Sequence, residues 1–256
     1  MYKRLIFILL MLMAFSEAFS QSNIYTSFYR KFEAVANKET SYKQFYTRID
    51  SIVKTREPGN SSIKIEFDRD VDFGYTQQRI NITLNGQYSY HLSLLSQHDT
   101  LCFASILYGY APFLSDEENK YNKRTNHPKI DTLQAIKYLK LRNAFYGSTK
   151  TIDDLKNELN TAEVYALFCG EAADKTNEYK NIEQLVKQKR INELRSMLVS
   201  ISCERQAYGV LGFRMLKKAG TKITDKDKKI LTYLNNRKSA LLECRGCFLS
   251  VVNDIK

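Results

Sequence analysis

Three cysteines toward the C-terminal end are the residues best placed to do chemistry. Cys244 and Cys247 form a Cys-x-x-Cys pair, and Cys203 precedes a predicted helix. The N-terminal residues, described below, predict export, and disulfides form in the oxidising compartments outside the cytoplasm. We therefore expect a bridge from Cys203 to Cys244 or Cys247 that fastens the last helical unit. Cys102 and Cys169 lie in apolar runs and are predicted to be small buried residues. Because the chain has 5 cysteines, at least one thiol stays free.

The same Cys-x-x-Cys pair also suits thiol–disulfide exchange, using Cys244 and Cys247. That chemistry needs a thiolate stabilised at a helix N-terminus, usually just after a strand. Here the pair follows a helical-looking run, residues 230–242, so redox activity is kept only as an alternative function. No zinc site or other cofactor is expected, since no histidine lies at ligand spacing from these cysteines.

Three histidines, His91, His98 and His127, are the candidates for acid–base catalysis by imidazole. His98 lies in a predicted hairpin turn, and His91 is expected on the polar face of a strand. The chain lacks the nucleophile elbow, the Walker-type glycine loop, the zinc-protease motif and the dinucleotide fingerprint. An envelope hydrolase that uses His91 or His98 is therefore an alternative, and we expect the protein not to be an enzyme.

An acidic run at residues 68–72 offers oxygen ligands for calcium. The run lacks the glycine and the distal glutamate of an EF-hand loop. Its charges are therefore predicted to be solvated.

The N-terminal residues have the pattern of an export signal. Lys3 and Arg4 precede an apolar run, residues 5–15, and Ala18 and Ser20 are the small residues that a signal peptidase recognises. A membrane-spanning helix needs about 20 apolar residues, so this run is short for a permanent anchor. Residues 1–20 are predicted to be a cleaved Sec signal peptide, with an uncleaved anchor as the alternative. The mature chain is then periplasmic or extracellular, with no transmembrane segment.

Lysine and arginine give the chain a formal net charge of +11 and make its C-terminal half basic. Such a surface suits lipid head groups, acidic polysaccharide or an acidic protein, and nucleic acid is not expected as a partner of an exported protein. Solvated helix faces are the alternative explanation. The predicted basic surface comprises Lys187, Lys189, Arg190, Lys217, Lys218, Lys228 and Lys229.

Residues 21–114 are predicted to form two helices followed by an antiparallel sheet. In the second helix, apolar residues recur every three or four positions from Tyr42 to Val53. From Ser62 onward the period is two, and Asn85-Gly86 gives a strong hairpin signal. We expect a meander of about four strands with one polar face.

The rest of the chain is divided into two parts. Residues 115–130 are polar and are predicted to be a loop at a domain boundary. Residues 131–256 are predicted to be an α-helical domain, with Gly147 and Gly220 as helix stops.

Within the helical part, residues 164–170 are similar to residues 207–212, with Tyr165 and Tyr208 in matching positions. Their separation fits the period of about 40–47 residues in HEAT and armadillo repeats, and each copy is predicted to be an apolar inner helix. Residues 150–250 thus resemble this repeat class, which implies a binding scaffold. An ordinary helical bundle is the alternative.

Three Asp-Ser/Thr-aliphatic triplets resemble the acceptor sites of Gram-negative bacteria that O-glycosylate exported proteins. Their hydroxyl residues are Ser51, Thr100 and Thr132. Because Ser51 lies in a predicted helix, Thr100 and Thr132 are the better candidates.

Taken together, the patterns predict an exported α+β protein with N-terminal helices, an antiparallel β-meander and a HEAT-like α-helical half. The expected function is non-enzymatic binding of a protein or an anionic envelope component through the basic helical surface. An immunity-type inhibitor and an assembly factor both fit this expectation.

Overall fold

The computed structural model describes residues 27–56, 60–86, 88–109, 115–172, 174–237, 239–246 and 248–252. The predicted signal peptide and Cys247 lie outside these ranges.

In the part that the structure describes, the N-terminal half consists of two helices and a five-stranded antiparallel sheet. The helices are α1 (residues 27–38) and α2 (Tyr42–Arg56). The strands pair in chain order: β1 (Ser62–Asp72), β2 (Tyr75–Leu84), β3 (Tyr88–Gln97), β4 (Thr100–Tyr108) and β5 (Lys129–Ile130). Asn85 and Gly86 turn the chain between β2 and β3 with φ of 54° and 65°, the left-handed values that this type of hairpin requires. The predicted α+β class is confirmed.

The C-terminal half contains most of the helices and two short hairpins. Its helices are α3 (Asp116–Thr125), α4 (Thr132–Tyr146), α5 (Ile152–Asn160), α6 (Asn177–Lys187), α7 (Ile191–Leu198), α8 (Cys203–Lys218) and α9 (Asp225–Arg237). The hairpins pair β6 (Phe168–Cys169) with β7 (Asp174–Lys175), and β8 (Leu241–Arg245) with β9 (Phe248–Val252).

The prediction of a loop over residues 115–130 was wrong. Ser115 begins α3 with a reciprocal capping box, in which its side chain accepts from the Glu118 backbone and Glu118 bonds back. Lys129 and Ile130 then add β5 to the edge of β4. Because α3 is polar on nearly all sides, it lacks the apolar periodicity that identifies a helix in a sequence.

The prediction that residues 131–256 are entirely helical was also wrong, and one copy of the proposed repeat is extended. Tyr165 donates its backbone N–H to Leu242 at 2.8 Å and accepts from Cys244 at 3.0 Å. The helix predicted over residues 230–242 ends at Arg237, before β8. Short apolar runs are compatible with helix and strand alike, which explains both errors. The resemblance of residues 150–250 to HEAT repeats stays a prediction.

The sheet is covered on both faces, so its predicted polar face is not exposed. Ile80 and Leu92 on one face pack with Phe32, Phe45 and other residues of α1 and α2. On the other face, apolar residues of the sheet join the core of the C-terminal half: Val71, Tyr75, Leu95, Cys102 and Phe103. The polar residues of that face are also buried, namely Gln77, Arg79, His91, Ser93 and Ser105.

Two glycines allow α8 to pack closely on α7. A Cβ atom at Gly209 would lie 2.7 Å from the backbone nitrogen of Leu198, and one at Gly212 would lie 2.5 Å from Leu194 Cδ2. Since the later glycine contacts the earlier residue, the two helices run antiparallel. The C-terminal end of α8 therefore lies beside the N-terminal end of α7.

Candidate functional site

A disulfide joins the two hairpins of the C-terminal half. Cys169 on β6 and Cys244 on β8 are bonded, with their Cα atoms 5.7 Å apart. The two strands lie side by side, and Gly170 donates its N–H to the carbonyl of Gly246 at 2.7 Å. The predicted bridge from Cys203 to Cys244 or Cys247 is therefore wrong, since Cys244 is bonded to Cys169 and Cys203 is a free thiol.

The predicted roles of Cys203 and Cys169 were both wrong. Cys203 is a buried free thiol at the first position of α8, and Cys169 is exposed on a strand instead of buried in a helix. Tertiary pairing of two short strands brings Cys169 to Cys244, and a segment interpreted as helical gives no sign of that pairing. Cys102 is a buried free thiol, as predicted, and burial raises its pKa to about 11.

A cleft of about 540 Å³ lies beside the disulfide. Apolar side chains such as Ile182 and Leu249 form much of its wall, and the Tyr208 hydroxyl donates to the Ala166 carbonyl at 3.1 Å. Among the described residues that line it, none is a histidine or a free thiol.

The cleft also contains an ion pair. Arg205 Nη1 lies 3.3 Å from Glu163 Oε1, and the Ser202 hydroxyl donates to the other oxygen of this carboxylate at 2.6 Å. Burial raises the pKa of Glu163 above its usual range. The arrangement provides a mainly apolar cleft with one polar anchor point.

Five of the predicted basic residues lie at the opposite end of the helical half. Lys187 ends α6, Lys189 and Arg190 precede α7, and Lys217 and Lys218 end α8. The antiparallel packing of α7 and α8 brings these ends together, and all five residues are exposed. We call this group, Lys187, Lys189, Arg190, Lys217 and Lys218, the basic pole.

Little of the charge of the basic pole is neutralised by neighbouring acids. Arg190 Nη2 lies 2.5 Å from Glu193 Oε1. Within the described part of the chain, the four lysines of the pole form no ion pair. Exposed like charges at this density attract an anionic partner.

The other two predicted basic residues, Lys228 and Lys229, lie on the first turns of α9. Both are exposed, but Lys228 Nζ lies 2.7 Å from Asp225, and Lys229 Nζ lies 5.5 Å from the centre of the Phe145 ring. Because they interact with Asp225 and Phe145, these two lysines are not included in the basic pole.

An ion pair holds the start of α9 against α7. Arg195 donates to both oxygens of Asp227 at 2.8 and 2.9 Å, and the Thr224 hydroxyl donates to the same carboxylate at 2.7 Å. The Arg195 hydrogen bond is the main reason that the pKa of Asp227 lies below its usual range. This contact holds α9 to α7, the helix that begins next to Arg190 of the basic pole.

The two histidines named for the hydrolase alternative, His91 and His98, lie at different places on the sheet. His91 is 0% exposed on β3, where burial and the nearby Arg79 hold its pKa well below its usual range, although Glu66 Oε2 lies 3.6 Å from Nε2. His98 is exposed in the turn between β3 and β4, as predicted, with φ of 56°. The expectation that His91 lies on the polar face of its strand is correct, since Ser93 and Ser105 share that face. Its burial was not predicted, because it arises from helices that pack on the same face of the sheet.

The three candidate glycosylation residues, Ser51, Thr100 and Thr132, are all exposed. The aspartates that precede the two threonines have structural roles. Asp99 accepts from the Ser41 hydroxyl at 2.6 Å and from the Lys43 N–H at 2.9 Å at the start of α2. Asp131 caps α4 by accepting from the Gln134 N–H at 3.1 Å. Helix capping therefore accounts for both aspartates without invoking modification.

A buried ionic network joins the sheet to the helices, and the sequence reasoning missed it. Asp72, predicted to be solvated, accepts from Arg142 at 2.6 Å, from the Tyr146 hydroxyl at 2.7 Å and from Arg237 at 2.7 Å. Arg237 also donates to Gln206 at 2.7 Å. Three separate helices are thus tied to the end of β1. These residues lie far apart in the sequence, and no local pattern indicates that they contact one another.

Across the described residues, no group of three or more histidine, cysteine or acidic side chains is placed to hold a metal ion. None of the helices in those ranges is long and apolar enough to cross a bilayer.

The fold and these sites define an α+β protein with a disulfide-bounded cleft at one end of its helical half and a basic pole at the other. No protein-family model matches the chain, and comparisons with curated proteins and with solved structures gave no match.

Proposed function

We propose that this protein is a non-enzymatic binding protein that attaches to an anionic partner of the cell envelope through its basic pole. The observation that carries the proposal is the clustering of four exposed lysines from separate parts of the chain at one end of the helical half. An immunity-type inhibitor and an assembly factor would both use such a surface.

Electrostatic range explains why clustering matters more than net charge. At physiological ionic strength the screening length is about 8 Å, so only charges held close together reinforce one another at a binding surface. The antiparallel packing of α8 on α7 through Gly209 and Gly212 places the C-terminal end of α8 near the start of α7, and only three residues separate the end of α6 from the start of α7. The pole is therefore a fixed array, and its field adds up over a small area.

The proposal includes export to an oxidising compartment. The bond between Cys169 and Cys244 supports it, because disulfides persist in such compartments and are rare in the cytosol.

Both alternatives lack comparable support. A hydrolase would have to use His91, which is buried and neutral, or His98, which is isolated in a turn. A thiol–disulfide protein would use Cys244 as an attacking thiolate, whereas Cys244 lies on a strand and is bonded to Cys169.

The test compares two double variants with the same net charge. Lys217→Glu with Lys218→Glu changes the pole, and Lys38→Glu with Lys64→Glu changes exposed lysines of the N-terminal half. The full chain and both variants are eluted from polyglutamate resin with a salt gradient. We expect the pole variant to elute at clearly lower salt than the control variant. Equal elution of the two variants would mean that retention reflects net charge alone, and the proposal would be abandoned.

A further inference from the structure

The outward side of α4 exposes large apolar side chains next to lysines. Its inward side is buried through Ala135, Tyr138, Leu139, Arg142 and Tyr146. On the opposite side, Leu133 is 76% exposed, Ile136 is 50% exposed and Leu141 is 42% exposed. Lys137 and Lys140 are exposed between them. We call Leu133, Ile136, Lys137, Lys140 and Leu141 the α4 outer face.

Two properties of the α4 outer face distinguish it from an ordinary solvated helix side. Large apolar side chains recur along it over about 12 Å of helix, from Leu133 to Leu141. In addition, α4 contains no acidic residue, so its only charged side chains are basic. Apart from Thr132 at its start, the exposed side chains of α4 are apolar or cationic, a combination that suits an interaction surface that meets anionic lipid.

The C-terminal end of α4 lies close to lysines at the start of α9. The ring of Phe145, near the end of α4, lies beneath Lys229 Nζ at 5.5 Å. Lys226 also reaches the end of α4, since a Cβ atom at Gly147 would lie 1.8 Å from its Nζ. The C-terminal end of α4, about one turn beyond Leu141, therefore lies beside Lys226 and Lys229 at the start of α9.

We propose that the α4 outer face docks on an anionic lipid surface. Leu133, Ile136 and Leu141 enter the boundary between head groups and acyl chains. Lys137 and Lys140 contact the lipid phosphates. This inference rests on the proposed function only for the kind of partner, because it names the anionic envelope partner as a membrane, whereas the docking surface itself does not depend on the basic pole.

Charge favours a lipid surface over a second copy of the chain as the partner of the α4 outer face. A two-fold symmetric dimer through α4 would bring Lys137 and Lys140 of one copy close to the same two lysines of the other, with no acidic residue of α4 to compensate. An anionic bilayer instead supplies opposite charge, and each lysine near such a surface raises affinity about fivefold. Its interface also accommodates convex apolar side chains without a matching groove.

A site-specific fluorescence experiment tests the inference. The chain contains no tryptophan, so a single introduced tryptophan reports only on its own surroundings. Leu133→Trp places a reporter on the α4 outer face. Phe248→Trp places a control reporter at an apolar residue of β9 that is 78% exposed. Each full chain is mixed with phosphatidylcholine vesicles that contain or lack phosphatidylglycerol, and with anionic vesicles whose acyl chains are brominated. We expect a blue shift and bromine quenching only for Leu133→Trp and only with anionic vesicles.

A second pair of variants measures affinity by vesicle sedimentation. Leu133→Ser with Ile136→Ser is expected to lower the partition coefficient about tenfold, because two apolar side chains no longer enter the interface. Phe248→Ser with Val251→Ser is the matched control and should leave the partition coefficient unchanged. All four positions are exposed, and thermal unfolding verifies that each variant folds.

The outcomes separate this inference from the proposed function. If the pole variant loses retention on polyglutamate while the tryptophan at position 133 shows no shift with anionic vesicles, the lipid inference is overturned and the proposed function stands. If that tryptophan shifts and the pole variant elutes with its control, the proposed function fails and α4 docking stands. Equal shifts at positions 133 and 248, equal shifts with neutral vesicles, or a shift caused by polyglutamate without lipid would each overturn the lipid inference.

Discussion

The guanidinium of Arg69 on β1 lies 2.5 Å from the carboxylate of Glu204 on α8, and both side chains are almost completely buried. Arg69 also donates to Gln77 and to the carbonyl of Ala240, and Glu204 accepts the Leu242 N–H at 2.9 Å. Burial opposes the ionisation of Glu204, but Arg69 and the Leu242 N–H outweigh it and hold the pKa of Glu204 below its usual range. The pair joins the sheet, α8 and β8.

Removal of one member of this pair should cost much more than removal of both. We expect Glu204→Gln to lower the free energy of unfolding by about 3–5 kcal/mol, because it leaves Arg69 buried without its counter-charge. Arg69→Met combined with Glu204→Leu should recover most of the loss, since neither member of this pair then remains as a buried charge without its partner. Urea denaturation measures all three proteins.

Glu193→Gln is the control for this series, since Glu193 pairs with Arg190 on the surface. It should change the free energy of unfolding by less than about 1 kcal/mol. An equal loss in Glu204→Gln and in the double variant would contradict the assignment of the penalty to an unpaired charge.

His91 should make the stability of the protein depend on pH in a mildly acidic range. The folded protein keeps this imidazole neutral because burial and the nearby Arg79 hold its pKa well below the ordinary value of 6.5. The unfolded chain takes up a proton below pH about 6.5, so acid favours unfolding. We expect stability to be constant above that pH from this cause and to fall below it, with a slope approaching about 1.4 kcal/mol per pH unit.

Denaturation midpoints between pH 7.5 and 5.5 check the role of His91. The variant His91→Gln should lose this part of the pH dependence whatever its absolute stability. His98→Gln controls for the removal of one histidine from the chain. A slope that persists in His91→Gln would assign the effect to another group.

The disulfide should contribute strongly to stability because it closes a long loop. Cys169 and Cys244 are separated by 75 residues in sequence. In the loop-entropy treatment, a loop of this length stabilises the folded state by about 4 kcal/mol, and the measured value for Cys169→Ser is expected to approach it. Urea denaturation of wild type and variant, with and without reductant, gives the comparison.

Thiol mapping provides the control for the disulfide assignment. The native protein should resist alkylation at Cys102 and Cys203, which are both buried, and become modified there only after unfolding. Peptide mass analysis without reductant should show residue 169 linked to residue 244. A peptide that links Cys203 to Cys244 would contradict the assignment.

Local signals in the sequence predicted local structure well. The apolar stripe of α2 is buried at Phe45, Ile49 and Val53, and Asn85-Gly86 forms the predicted hairpin turn. Both follow from short-range periodicity and from backbone conformation. For the same reason, the order of helices and strands up to β4 was predictable.

Contacts between distant segments were not predictable. The Cys169–Cys244 bond depends on pairing of two short strands, one of which resembles a helix in the sequence. The burial of His91 depends on a layer of helices over a sheet face whose residues are polar. The exposed basic residues could be identified, but their clustering at one pole depends on the antiparallel packing at Gly209 and Gly212.

The bond between Cys169 and Cys244 also makes the intervening chain a covalent ring. A protease that nicks the exposed connection between α8 and α9 once would cut this ring without releasing a fragment. The nicked molecule would migrate as a single species on a denaturing gel until reductant separates its two pieces. The helical half can therefore be cleaved and still remain one molecule.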